Sequence, residues 1–263
     1  MLTSPLSRAT SSPETILRVR GLTRVFSRGL ARRNGGSLAL NGIDLDIRAG
    51  DVVGLIGPEA AGKTTLLQCI AGLLRRDTGA VEWFGHLFPG GGSVPGVAYV
   101  PAVPVYYPFL TVRDVVEYRC ARESTSRNRS RAVEAAISEV GLSEKINLHV
   151  AALSSEDVGA LSIAEALSFD PQAILVDTSP PNENQAYSTQ VLDALSRHAG
   201  SGGSVLIASR QTHSVVRCVT RVVALDEGAI VRTFSTDGGD DHRLDPVFPL
   251  PAGNVRFVAE RMH

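Results

Sequence analysis

No apolar run in this 263-residue chain approaches the roughly 18 residues that a membrane-spanning helix needs. The three cysteines, Cys69, Cys120 and Cys218, stand far apart, which excludes metal-ligand or redox spacing and reads as isolated buried thiols. A reducing, cytosolic compartment is the matching expectation. Excess charge is missing too: the formal net charge is -1, so nothing argues for general nucleic-acid affinity. The start, "MLTSPLSRATSSPET", lacks a hydrophobic signal region, and residues 1–14 read as a disordered leader. A chain of this kind would work at a membrane only through a partner. What is present, 43% hydrophobic and 20% charged residues, suits one large globular domain or a domain with a subdomain.

Along the chain, "ILRVRGLTRVF" (16–26) alternates as a half-buried strand does, and "SRGLARRNGGS" (27–37) reads as an exposed hairpin-like loop. "LALNGIDLDIRAGDVVGLIG" (38–57) predicts two more strands broken at "RAGD"; the second is the continuous apolar kind found deep in a parallel sheet. A helix from about Gly62 to Leu74 follows, then a short strand, a glycine-rich loop and another strand up to "VAYV". From Thr111 the pattern turns helical, with Thr111 and Asp114 spaced as a capping box. After the polar break "ESTSRNRSR", "SRAVEAAISEVGL" predicts an amphipathic helix stopped by Gly141, and "SSEDVGALSIAEALSFDP" another, ending before Pro171. Strand 173–177, helix 185–199, strand 204–208, helix 212–219 and strands near 221–225 and 229–233 complete the alternation, and the tail "GNVRFVAE" reads as a last short strand. Strands alternating with helices predict an α/β parallel sheet, interrupted by a helical subdomain at about 105–168.

The most specific motif is "GPEAAGKTT" (57–65), which satisfies G-x-x-x-x-G-K-[ST] between a buried strand and a helix. A chance glycine-rich turn is the ordinary alternative, and it would lack that strand–helix context. In such a P-loop, backbone N–H groups converge on a concavity at the positive end of a helix. The candidate phosphate cradle is Gly57, Pro58, Glu59, Ala60, Ala61, Gly62, Lys63, Thr64 and Thr65. Lys63 suits the β- and γ-phosphates, and the Thr64 hydroxyl suits Mg2+. Asp177 closes the buried run "AILVD" and makes a second Mg2+ anchor, a helix or turn cap being its ordinary reading.

With these motifs in order, 15–235 resembles the nucleotide-binding subunit of ABC transporters. "LTRVFSRG" is similar to the adenine-stacking stretch, with Phe26 as its aromatic. "VAYVPAVPVYYPFLTVRDVVEY" resembles the Q-loop region, "VAALSSEDVGALSIAEALSFDPQAILVD" the signature helix running into Walker B, and "VLIASRQTHSVVRCVTRVVALDEGAIV" the switch region. The resemblance implies a P-loop NTPase (RecA-like) parallel-sheet core with an N-terminal antiparallel β subdomain and a helical subdomain. It implies ATP and Mg2+ as ligands, a transmembrane permease subunit as partner, and a homo- or heterodimer of nucleotide-binding domains on the cytoplasmic side of a membrane.

The departures from the family pattern form a set. The Q-loop glutamine falls on Ala102. The signature LSGGQ is "LSSED" (153–157), the Walker B glutamate is Thr178, Asn184 stands where the D-loop carries an aspartate, and the switch histidine falls on Arg210, with His213 three residues on. Thr178 has no carboxylate with which to accept a proton from water. Arg210 cannot accept a proton but pairs well with phosphate. "LSSED" reads as an ordinary capped acidic helix start. With both its own hydrolytic positions and its lent signature altered, the expectation is an ATP-binding subunit with weak or absent hydrolysis, in a hetero- rather than homodimer. The alternatives are an active ATPase using Glu183 or Glu156 as base, and a soluble nucleotide-dependent interaction protein.

Overall fold

A computed structural model describes residues 14–26, 36–123, 128–178, 187–210 and 218–235. In chain order the elements are β1 (Thr15–Phe26), β2 (Ser37–Arg48), β3 (Val52–Ile56), α1 (Lys63–Ile70), β4 (Thr78–Trp83), β5 (His86–Leu87), β6 (Val97–Val100), α2 (Val112–Glu123), α3 (Arg129–Glu139), α4 (Ser155–Leu167), β7 (Ala173–Asp177), α5 (Thr189–Gly200), β8 (Ser204–Ser209), β9 (Arg221–Asp226) and β10 (Ala229–Ser235). They form two sheets. One is antiparallel, in the order β2-β1-β4-β5; the other runs β10-β9-β3-β8-β7-β6 and is parallel except for β10.

The apolar runs explain the second sheet. Every residue of β3, β7 and β8 is buried, as expected of strands covered on both faces. Successive side chains then serve different cores. Ile174 and Val176 of β7 join Val116, Ile137, Leu161 and Leu195 of the helices on one face. Leu175 points to the other face and packs with Leu17, Leu40, Leu66 and Ile70 of the antiparallel sheet and α1. Trp83, the chain's only tryptophan, is buried at the end of β4, and its indole N–H donates to the Ile70 carbonyl at 2.8 Å. That bond ties the antiparallel sheet to the last residue of α1.

The capping box at α2 is formed: the Asp114 N–H donates to Thr111 Oγ1 at 3.1 Å, and the Thr111 N–H donates to Asp114 Oδ2 at 2.9 Å. Two helix boundaries differ from expectation. Helix α1 ends at Ile70 rather than Leu74, because the chain turns at Gly72 with φ of 79°. Helix α5 begins at Thr189 rather than 185, where the Ser188 hydroxyl accepts from the Val191 N–H. The two-residue strand β5 has no periodicity and escaped the sequence pattern. The hairpin-like loop at 27–35, most of helix 212–219 and the tail strand lie outside the described residues. Among the described residues, no helix is long and apolar enough to cross a membrane.

Candidate functional site

Strand β3 delivers the chain into a tight turn, Gly57 to Gly62, which opens α1. Two glycines are required by space: a Cβ on Gly57 would collide with the Leu225 carbonyl of β9, and one on Gly62 (φ 103°) with the Ala39 carbonyl of β2. Among the described residues no side chain caps α1, and its first turn contains no acid. The first N–H groups of a helix have no intrahelical partner, so this start offers donors and positive potential to an anion.

Lys63, the first residue of α1, is buried, and its ammonium donates to the carbonyls of Gly57 at 2.8 Å and Pro58 at 2.7 Å. Burial lowers its pKa to about 8; Asp177 and Glu59 oppose that fall and Arg210 adds to it. A cleft of about 390 Å³ opens over the loop, lined by Phe26, Leu38, residues 59–65 and Arg210. Phe26 is half exposed there, with the Arg24 guanidinium 4.9 Å from the centre of its ring. The cleft thus gathers most of the sequence-derived cradle, together with an aromatic, Phe26, and Arg210. Glycine crowding, open N–H groups and Lys63 together fit a bound phosphate chain.

Asp177 is buried at the end of β7 and does not line this cleft. It lines a neighbouring cavity of about 30 Å³ with Ala102, Ser155, Glu156, Thr178 and Ser188, while its charge acts on Lys63. Among the described residues no group of three His, Cys, Asp or Glu side chains stands ready to hold a metal. A Mg2+ ion held by one or two protein groups and substrate phosphates requires no such group.

The positions read from the sequence as departures from the family pattern make interactions of their own. The Thr178 hydroxyl and N–H both donate to the Ala208 carbonyl of β8, at 2.8 and 2.9 Å. Helix α4 starts with a complete capping box: the Asp157 N–H donates to Ser154 Oγ at 3.1 Å, and the Ser154 N–H to Asp157 Oδ2 at 3.2 Å. Lys145 grips the same carboxylate at 2.7 and 2.8 Å. Against the upward push of burial, Lys145 and Ser154 hold the Asp157 carboxyl below its usual range. Arg210 pairs with Glu59, also in the cleft lining, at 3.4 Å. Asn184, Glu183 and His213 lie outside the described residues.

Three features went unread in the sequence. Lys145 and the Glu59–Arg210 pair join residues distant in the chain, although an acid inside a phosphate loop was a visible signal. Ala60 has φ of 61°, a left-handed conformation that a side chain resists.

A family model described as "ABC transporter" matches residues 40–179. The chain is 29% identical over 223 residues to an aliphatic sulfonates import ATP-binding protein of Corynebacterium glutamicum, covering 84% of this chain and 88% of that protein. It is 31% identical over 243 residues to a lipoprotein-releasing system ATP-binding protein of Caulobacter vibrioides, covering 82% and 96%. Against a putative ribose/galactose/methyl galactoside import ATP-binding protein of Burkholderia ambifaria, at 27% identity, it spans 44% of the relative's length. Among solved structures, a dimeric bacterial ABC transporter cassette superposes with a TM-score of 0.72 at 19% identity, covering 84% of this chain and 98% of that one. A nucleotide-free ATP-binding cassette gives 0.70 at 19% identity, covering 84% and 91%. The family model spans over half of the chain and the Caulobacter relative most of it, and the fold is that of the solved cassettes: the chain belongs to the ABC transporter family, as an ATP-binding cassette.

Proposed function

We propose that this chain is an ATP-binding subunit that holds MgATP with weak or absent hydrolysis, in a complex with a membrane permease and a second, different nucleotide-binding domain. The observation that carries this reading is the contrast between an open phosphate cradle and Thr178, whose hydroxyl is committed to the Ala208 carbonyl where a carboxylate base would be needed. Lys63, the 57–64 backbone and Thr64 would hold the phosphates and the metal ion, Asp177 would supply a second carboxylate toward Mg2+, and Phe26 would stack on adenine. MgATP, when bound, supplies concentrated charge at the cleft that a partner surface can read.

The α4 start supports a heteromeric arrangement. Glu156 and Asp157 occupy its first turn, and a carboxylate about 5 Å from a phosphate charge costs on the order of 3 kcal/mol at an effective dielectric of 20. Lys145 neutralises Asp157, which leaves Glu156 as the acid of that turn without an ion pair among the described salt bridges. Two copies of this chain would each present that acid to the other's phosphates, whereas in a pair with a different partner it is presented only once.

The test is equilibrium binding of MgATP to the purified chain, alongside steady ATP turnover by the chain and by its complex. Wild type should bind MgATP and turn over slowly or not at all. Lys63→Ala should weaken binding by about a hundredfold, the loss of a charge-assisted phosphate contact. Equal binding by both proteins sinks the reading. Glu156 favours a second reading, because it lines the cavity that holds Asp177 and Thr178. If it is the base of an active ATPase, turnover is brisk in the wild type and lost in Glu156→Gln.

A further inference from the structure

We propose that Arg24 is a positioning residue for the nucleobase: held by Asp77, its guanidinium backs one face of the Phe26 ring and leaves the other face to the base. This rests on the reading of the cleft as a nucleotide site. Phe26 lines the cleft and Arg24 does not, although its guanidinium lies 4.9 Å from the centre of that ring. The two residues stand two apart in β1, the spacing at which strand side chains share a face.

Two observations separate this contact from an ordinary surface ion pair. First, Asp77 uses both carboxylate oxygens: Oδ1 accepts from the Arg24 guanidinium at 3.0 Å and Oδ2 from the Val25 N–H at 2.6 Å. Its own N–H donates to the Thr23 carbonyl at 2.9 Å. One residue in the turn before β4 thus fixes the backbone on both sides of Arg24, just short of Phe26, the last residue of β1. Second, the Arg24 Nε is buried with no hydrogen-bond partner among the described residues. A buried donor without an acceptor is uncommon. The guanidinium is therefore placed for its flat face, which stacks on aromatic rings, rather than for its full set of hydrogen bonds. With one face so covered, Phe26 is still 39% exposed, and a planar base suits the uncovered face. A cation behind the ring also draws π density toward itself, which lowers the repulsion that the π electrons of a base meet in front.

Calorimetric titration of the full chain with MgATP and with magnesium tripolyphosphate, which has the phosphates and no base, tests this. Phe26→Leu should weaken MgATP about tenfold and leave tripolyphosphate within about twofold. Arg24→Met keeps the apolar stem and loses the charge; it should weaken MgATP about fivefold and spare tripolyphosphate in the same way. Arg24→Lys returns the charge without the plane and should lose only about twofold. In the Phe26→Leu background, Arg24→Met should cost MgATP nothing further. Equal losses for the two ligands in Arg24→Met overturn the proposal, because they mean a long-range charge effect or a disturbed fold. So does an undiminished loss in the absence of the Phe26 ring. Lys63→Ala separates the two readings. If it weakens both ligands while the Arg24 variants bind as wild type, only the positioning role fails; if it binds both as wild type, the cradle itself fails.

Discussion

Helix α1 starts at Gly62 with no side-chain cap among the described residues and no acid in its first turn; helix α4 starts at Ser154 with a full capping box, two acids and a lysine drawn in from a distant turn. Both are helix N-termini, with the same unpaired N–H groups and the same positive potential. At α1 those properties are left for a ligand. At α4 the chain has satisfied them with its own side chains. The difference teaches that a helix start becomes an anion site through what the sequence withholds from it as much as through what it adds.

That contrast can be broken most forcibly at Gly57. Gly57→Ala drives a Cβ into the Leu225 carbonyl, so the loop must shift, and stability should fall by about 3 kcal/mol with loss of MgATP binding. Denaturant unfolding and titration of the same preparation check both halves. A smaller perturbation uses protons. Burial leaves Lys63 titrating at about 8 in the free chain, and a phosphate beside it raises that value, so the complex keeps a proton that the free chain gives up. Affinity is then full on the acid side and falls as pH rises through 8, by about tenfold between pH 7 and 9. A flat profile across that window would place the Lys63 charge outside the binding reaction.

The α4 side of the comparison should respond in stability alone. Asp157→Ala removes the carboxylate that accepts from the Ser154 N–H, together with the Lys145 pair, and should cost about 1 to 2 kcal/mol while MgATP affinity stays at the wild-type value. A large affinity change would mean that the closed helix start takes part in binding. The smallest effect is expected at Ala60→Gly. Relief of the left-handed alanine is worth about 1 to 2 kcal/mol, and the added freedom of the unfolded chain takes back about half of that, so a gain near 0.5 kcal/mol is expected in thermal or urea unfolding.

How much of this was legible depends on distance along the chain. The β3–loop–α1 unit and the Ser154–Asp157 cap are written within a few residues, because glycine spacing and side-chain caps are local requirements. Asp177 was legible as the end of a buried strand, but not its place in a cavity beside the cleft rather than in it. That separation comes from the order β3-β8-β7, which sets a strand between them. The end of α1 was misjudged because the apolar run continues to Leu74 while Gly72 turns the chain. Thr178 could be read as a missing base; its bond to Ala208 could not, since the partner belongs to a strand met thirty residues later.

The bond from the Trp83 indole to the Ile70 carbonyl has an optical consequence. With one tryptophan in the chain, indole emission comes from a single seam, between the antiparallel sheet and the far end of the helix that opens on the phosphate loop. Any displacement of that helix when the cleft fills is transmitted to the environment of one fluorophore. The cassette thus carries an unlabelled probe of that helix, specific to the half of the molecule where the two sheets meet and remote from the core packed on α2, α3 and α4.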